Sequence, residues 1–195
     1  MLYTVNATKE RVAEAARAIL VGEGADAVTM RRVAEMVGVT AMAIYKHYPG
    51  REALLAAVAD RTFDELGEDW GTKVPDGDWE TRLMCLLDDF LDFALGRPHL
   101  YTFLMTDRRD RARRFPDDFR RNGSPAFTRV VELTEEGMRL GLLHPDDPLE
   151  TALALTSPVQ GLVQLYLGGR VGLEEDDFRA LCARTVRRNL RGLRA

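Results

Sequence analysis

The stretch Val28–Tyr48, VTMRRVAEMVGVTAMAIYKHY, decides how this chain is read. Thr29 suits the N-cap of a short helix that ends at Val37, and Thr40 suits the cap of a second one over Ala41–His47. Gly38 stands between them. The joint needs a residue that takes positive φ without steric cost, and glycine does so. Val33, Ala34, Val37, Val39 and Ile44 fall where two such helices pack on one another. Ala34 is small where the second helix crosses. That second helix then presents Ala41, Met42, Tyr45 and Lys46 outward, and a helix of this size fits the major groove of DNA.

The charge of the whole chain points the other way. Its 27 basic and 31 acidic side chains leave a net charge of −4 over 195 residues, whereas a basic excess is the usual footprint of nucleic-acid binding. Local charge differs. From Val28 to Arg51 there are Arg31, Arg32, Lys46 and Arg51 against Glu35 alone, a local +3. Thr29, Thr40 and Tyr45 add hydroxyls for phosphate oxygens. Arg51 opens the next helix, whose first N–H groups can also meet a phosphate.

Outward from this segment almost every stretch reads as helix, with about nine helices by periodicity and no sustained alternation of the strand type. Val12, Ala16, Ile19 and Leu20 form one stripe on a helix over Thr8–Glu23, which Gly22 and Gly24 end. Pro49-Gly50 is a turn signal. Leu54, Leu55, Val58, Thr62 and Leu66 share one face of a helix from Arg51 to about Glu68. Gly71–Asp78 is a loop. Helices follow over Trp79–Leu95, His99–Met105, Pro125–Leu140, Asp146–Gly169 and Glu174–Leu193. The run Asp107–Arg121 holds seven arginines and four aspartates and reads as a solvated loop or a frayed helix, with a lid or a patch near the DNA as the functional alternative. The expected fold is therefore all-α. A helix-turn-helix domain covers residues 1–50, a linking helix about 51–68, and a larger helical domain 69–195.

The pattern Thr29, Val33-Ala34, Gly38-Val39-Thr40, Ile44-Tyr45, His47-Tyr48, Arg51 and Leu54-Leu55 resembles the N-terminal domain of the TetR family of regulators, over about Thr8 to Val58. The run from Gly161 to Arg170 is similar to the penultimate helix of many members. The resemblance implies a three-helix DNA-binding domain, a fourth linking helix, a ligand-binding domain and a homodimer through the last two helices. It implies phosphate contacts for Thr29, Tyr45, Lys46, His47 and Arg51, and base edges for Arg31, Ala41, Met42 and Ala43. Arg32 and Thr40 complete the expected DNA-binding set. Met42 departs from the glycine that many members carry there. Ala41, Met42 and Ala43 offer no hydrogen-bond code. Base reading then rests on Arg31, on methyl contacts to thymine, or on DNA shape.

The C-terminal two-thirds is rich in aromatic and Met side chains at helical spacing. Most are core, and the resemblance implies that some line an apolar ligand cavity between helices. The candidates are Phe90, Phe93, Tyr101, Met105, Phe127, Gln160 and Gln164, with a pocket near Tyr101, Gln160 and Gln164, where Pro158 interrupts the helix. Few buried cations are evident, so the effector is expected to be apolar or neutral. Leu155, Val159, Leu162, Tyr166, Leu181, Thr185 and Leu190 are expected to leave apolar surface that a two-fold copy covers. Such a dimer sets its recognition helices about 34–36 Å apart, or a multiple, on a palindromic operator.

Other classes fare worse. No nucleophile triad, phosphate-binding glycine loop, cofactor motif or metal-ligand cluster occurs, so neither catalysis nor a cofactor is expected. Thr151–Gly169 runs 19 residues without a charge. Its Pro158, glutamines and glycines fit a buried bundle helix better than a membrane span. Cys85 and Cys182 are far apart and read as free thiols in a reducing, cytoplasmic setting. Met1–Arg11 lacks the apolar core of a leader. The expectation is a repressor released by its ligand. The alternative is a ligand-independent DNA-binding or protein-interaction module.

Overall fold

The computed structural model describes residues 2–72, 77–108, 112–121 and 124–195, leaving out the side chains of 2–6, 71 and 72. Its regular structure among these is helical throughout: α1 (Leu2–Glu23), a 3₁₀ turn (Ala25–Ala27), α2 (Met30–Val37), α3 (Ala41–Tyr45), α4 (Arg51–Thr72), α5 (Trp79–Gly96), α6 (Pro98–Met105), α7 (Asp117–Arg120), α8 (Pro125–Arg139), α9 (Pro148–Leu167) and α10 (Glu175–Leu193). The chain divides into two compact units. The first joins residues Met1–Phe63 with Arg97–Ala112, and the second joins Asp64–Gly96 with Arg113–Ala195. Helix α4 begins in the first and ends in the second. The expected division at residue 69 misses this interleaving, because α6 packs on α1 and on the 3₁₀ turn. Its Leu100 and Tyr101 are buried there as firmly as Val12 and Leu20 of α1.

In the first unit the joint between α2 and α3 forms for the reasons its residues suggest. The Thr29 hydroxyl accepts from the Arg32 N–H at 3.2 Å, closing the start of α2. At the other end Gly38 sits at φ 75°, in the left-handed region. The N–H groups of Gly38 and Val39 both reach the Ala34 carbonyl, at 2.9 and 3.0 Å, so the last turn of α2 is satisfied. Thr40 caps α3 through the Ala43 N–H at 3.2 Å. Helix α3 stops at Tyr45, two residues before the expected His47. The N–H groups of His47 and Tyr48 both turn back to the Ile44 carbonyl, and Tyr48 precedes Pro49, which disfavours the helical region. Val33, Ala34, Val37 and Ile44 are buried as the packing requires; Val39 is half-buried.

Packing dominates the second unit. The Trp79 indole opens α5 and donates to the Leu133 carbonyl of α8 at 2.6 Å. A Cβ on Gly137 would lie 2.8 Å from that indole, so α8 passes only with glycine at this position. A Cβ on Gly67 of α4 would lie 2.1 Å from the Pro125 Cβ at the start of α8. Asp147 caps α9 by accepting from the N–H groups of Leu149 and Glu150, and these bonds hold its carboxyl below the usual range. Helices α9 and α10 pack on each other, with Tyr166 stacked on Phe178 at 4.0 Å.

This pairing corrects the expected dimer face at three of its seven positions, while Leu162, Tyr166, Leu181 and Thr185 are half-buried. Leu155, Val159 and Leu190 are all 2% exposed or less, enclosed by the chain's own core. The outward face of α9 is instead formed by Ala154, Ser157, Pro158, Gly161, Gln164, Leu165 and Gly168, which carry no charge. The run Asp107–Arg121 is not all loop, since it holds α7; its positions 109–111, like 73–76 of the Gly71–Asp78 loop, lie outside the described residues.

Candidate DNA interface

The outward surface of α2 and α3 is where most of the expected DNA-binding residues gather. Arg31 has a side chain 88% exposed, with Glu35 one turn on at 3.4 Å. Met42 is 71% exposed and Tyr45 47%. Thr29, Thr40 and Lys46 are exposed, while Ala41, Ala43 and His47 are half-buried. Both threonine oxygens accept cap bonds, which leaves each O–H to donate to an external oxygen. Tyr48 is core: its ring is buried and its hydroxyl donates to the Lys9 carbonyl at 3.2 Å.

Two of the four expected cations are spent on the fold. Arg32 grips the Glu23 carboxylate with both guanidinium nitrogens, Nη1 to Oε2 at 2.8 Å and Nη2 to Oε1. The hydrogen bonds of this pair hold the Glu23 carboxyl below the usual carboxylate range. Arg51 reaches back across the start of α4. Its Nε donates to the Val28 carbonyl at 2.8 Å and its Nη2 to the Ala25 carbonyl at 2.7 Å. Its Nη1 meets Glu52 at 2.7 Å, and Asp26 lies 3.8 Å from Nη2. The fold thus brings Glu23, Asp26 and Glu52 to cations that looked unopposed along the sequence. The local +3 does not survive as a field of four solvated charges. Arg31 and Lys46 are the cations of the segment that stand exposed.

Sequence reasoning missed the fasteners that seat α2 from outside the segment. The Arg11 guanidinium donates to the Val37 carbonyl at the end of α2, at 2.8 Å. The Lys9 ammonium lies over the Tyr48 ring, 5.9 Å from its centroid. A cation one helix earlier carries no local pattern that marks it as a partner. The anchoring of Arg51 likewise has no signature in spacing.

The expected ligand residues divide between the two units. Tyr101 and Met105 belong to α6 and the first unit, whereas Phe90, Phe93, Phe127, Gln160 and Gln164 belong to the second. Tyr101 and Phe93 are buried, and burial pushes the Tyr101 hydroxyl up to about 12. Phe90, Met105, Phe127 and Gln160 are half-buried. Gln164 lies on the exposed face of α9 beside Gly161 and Leu165. Pro158 is on the same face, so the carbonyl it leaves unpaired, that of Ala154, is on the outer side of the helix. The half-buried Phe127 instead meets Phe119 edge to face, at 5.3 Å.

Comparison with known proteins covers both halves of the chain. Residues 12–58 match the family described as bacterial regulatory proteins, tetR family. Residues 83–189 match the tetracyclin repressor-like C-terminal domain. The HTH-type transcriptional repressor DrrR1 of Streptomyces coeruleorubidus is 35% identical over 92 residues, which are 47% of this chain and 33% of that protein. A protein of unknown function from Rhodococcus sp. RHA1 has the same fold, with a TM-score of 0.75 and 22% identity over 96% of each chain. RolR, solved in complex with resorcinol, aligns over all of this chain and 91% of its own, with a TM-score of 0.70 and 19% identity.

Proposed function

The chain belongs to the TetR family of transcriptional regulators, and from that premise we propose that it is a ligand-released repressor that binds a palindromic operator as a homodimer. The observation that carries the DNA reading is the seating of α3. A left-handed Gly38, two threonine caps and the buried Ile44 hold the helix so that Met42, Tyr45 and Lys46 are exposed, as is Arg31 of α2. Arg31, Ala41, Met42 and Ala43 then face the bases. Thr29, Thr40, Tyr45, Lys46 and His47 meet phosphates. Arg32 and Arg51 act one step back, by fixing the start of α2 and the turn before it.

Dimerisation follows from the outer face of α9. Its Ala154, Ser157, Gly161, Gln164 and Leu165 present small and uncharged groups where a solvated helix would carry charges. A second copy related by a two-fold axis covers that face and sets the two α3 helices to matching half-sites. The ligand is read as neutral and largely apolar. The aromatic content of the second unit supports this, and so does a fold neighbour solved with resorcinol, a neutral phenol. Ligand bound there shifts operator affinity only through different affinities for the DNA-competent and DNA-incompetent states. Helix α4, which runs from one unit into the other, is the covalent route for that coupling.

The test is fluorescence anisotropy on duplexes that the full chain selects from a randomised pool, with unselected duplex as control. A selected sequence should bind at least ~10³-fold tighter than the control, with log affinity falling against log salt by about 0.9 per phosphate contact. Small neutral phenols should then release it. Failure to enrich any sequence overturns the DNA reading. Enrichment without release by any neutral compound overturns the ligand reading alone.

A further inference from the structure

Met42 is the most exposed large apolar side chain among the described residues, at 71%. It stands on the outward side of α3 with no hydrogen-bonding side chain beside it in the first turn. Ala41 and Ala43 flank it, both half-buried, and Ile44 is fully buried. The polar group nearest in sequence is the Thr40 hydroxyl, whose oxygen is already the cap of the helix. The surface that Ala41, Met42 and Ala43 offer at the start of α3 is therefore small, large, small, and apolar. Resting on the DNA reading above, we infer that Met42 is a specificity residue that reads the C5 methyl group of thymine in the major groove.

The chemistry of the base edges leaves little else for it to read. In the major groove guanine shows two acceptors, cytosine a donor, and adenine one of each. Thymine alone adds a methyl group to its acceptor. A methionine thioether can donate to none of these acceptors and is only a weak acceptor itself. Against a G·C pair it covers polar edges that water had satisfied and returns no hydrogen bond, which penalises that pair. Against a thymine it covers one methyl with an unbranched, adaptable chain. The two alanines contribute by being small, since their methyl groups let the helix backbone come close to the groove. Selection thus works by attraction to T·A and by exclusion of G·C at one base-pair position.

The test uses the full chain and duplexes it has selected from a randomised pool, resynthesised with deoxyuridine for thymidine at one position at a time. Deoxyuridine keeps every hydrogen-bonding group and removes only the methyl. At one position in each half-site, affinity should fall about fourfold per methyl removed, the loss expected for one buried methyl. The Met42→Ala variant should bind the thymidine duplex more weakly and lose the discrimination between thymidine and deoxyuridine. Its salt dependence should not change, because no phosphate contact is removed. Met42 is exposed, so this variant should melt like the parent protein, and that check separates lost reading from lost folding. If deoxyuridine matters at no position, the inference fails while the DNA reading stands. If discrimination persists undiminished in Met42→Ala, the methyl is sensed through DNA shape or by another residue, and Met42 is not the reader. If no sequence is enriched at all, the DNA reading fails and this inference fails with it.

Discussion

The segment from Thr29 to Arg51 and the helices α5, α8, α9 and α10 of the second unit are held together by different means. In the first, each structural duty falls on one residue type with few substitutes. Threonine oxygens close two helix starts, a glycine takes φ 75°, and Arg51 ties the start of α4 to two backbone carbonyls. In the second, the duties are spread over interlocking apolar surfaces. Leu155, Val159 and Val163 of α9 and Phe178, Cys182 and Val186 of α10 are all buried, and none has a polar task. Polar fasteners demand particular residues at particular spacings. Packing demands only the right volume in the right place. A recognition surface must keep its outward side free for a partner, so its fold is held from within and from behind. A bundle core has no such restriction.

If the second unit is held by volume, its least tolerant positions are those with no volume to spare. Gly67→Ala should have the largest effect on stability of any change considered. The added Cβ would come within 2.1 Å of the Pro125 Cβ and 3.2 Å of the Pro125 backbone, which a rotamer change cannot relieve. Chemical denaturation should show a loss of about 3 kcal/mol. Gly22→Ala, in the last turn of α1 with nothing within 4 Å, is the control. It should be neutral or gain up to about 1 kcal/mol of helix propensity. Equal effects of the two changes would mean that α4 and α8 do not meet at Pro125.

The first region breaks differently. Arg51→Ala removes two bonds to backbone carbonyls and should cost about 2 kcal/mol of stability. Arg51→Lys should not rescue it, since an ammonium cannot span both carbonyls as the planar guanidinium does. Arg31→Ala should leave stability within about 0.5 kcal/mol and weaken binding to a selected duplex by about 1–3 kcal/mol. Denaturation and anisotropy on the same two variants decide the matter. An Arg51→Ala protein that melts normally but loses one unit of salt slope would make Arg51 a phosphate contact and not a brace.

The same difference explains what could be read in advance. The helix-turn-helix was legible because each of its caps and turns needs a specific residue: Thr29, Gly38 and Thr40 all do what their positions announce. Arg31 and Arg51 look alike in the motif, yet one is solvated and the other is tied to Val28 and Ala25. Partner carbonyls on another element leave no trace in spacing. In the second unit, periodicity marked the helices but not which of two apolar stripes on α9 turns inward. Leu155 and Val159 went to the core. The smaller Ala154, Ser157 and Gly161 face out, because α8 and α10 close on the other side. The assignment of α6 to the first unit was likewise invisible, since its apolar residues suit either neighbour.

The smallest effect concerns Cys182, which tests whether the α9–α10 core stays closed to water and charge. It is fully buried, and burial pushes its thiol from 9.0 up to about 11, with Arg179 opposing weakly. The raised value means that between pH 9 and 11 the folded protein holds a proton that the unfolded chain has released. Stability therefore falls as pH rises through this window, and the contribution is intact below pH 9. Between pH 8 and pH 10 the thiol should account for about 1 kcal/mol of lost stability. Tyr101, raised by burial from 10.0 to about 12, adds a loss of the same sign that sets in higher. Cys182→Ala isolates the thiol: it should be less stable at pH 8 because of the cavity, yet lose about 1 kcal/mol less than the parent on going to pH 10. Thiol labelling at pH 8 gives an independent reading, with the half-buried Cys85 reacting first and Cys182 only on the timescale of unfolding. If the two proteins lose stability in parallel and both thiols label together, water reaches Cys182 in the folded state. The contrast between a closed second-unit core and an open recognition surface would then not hold at α10.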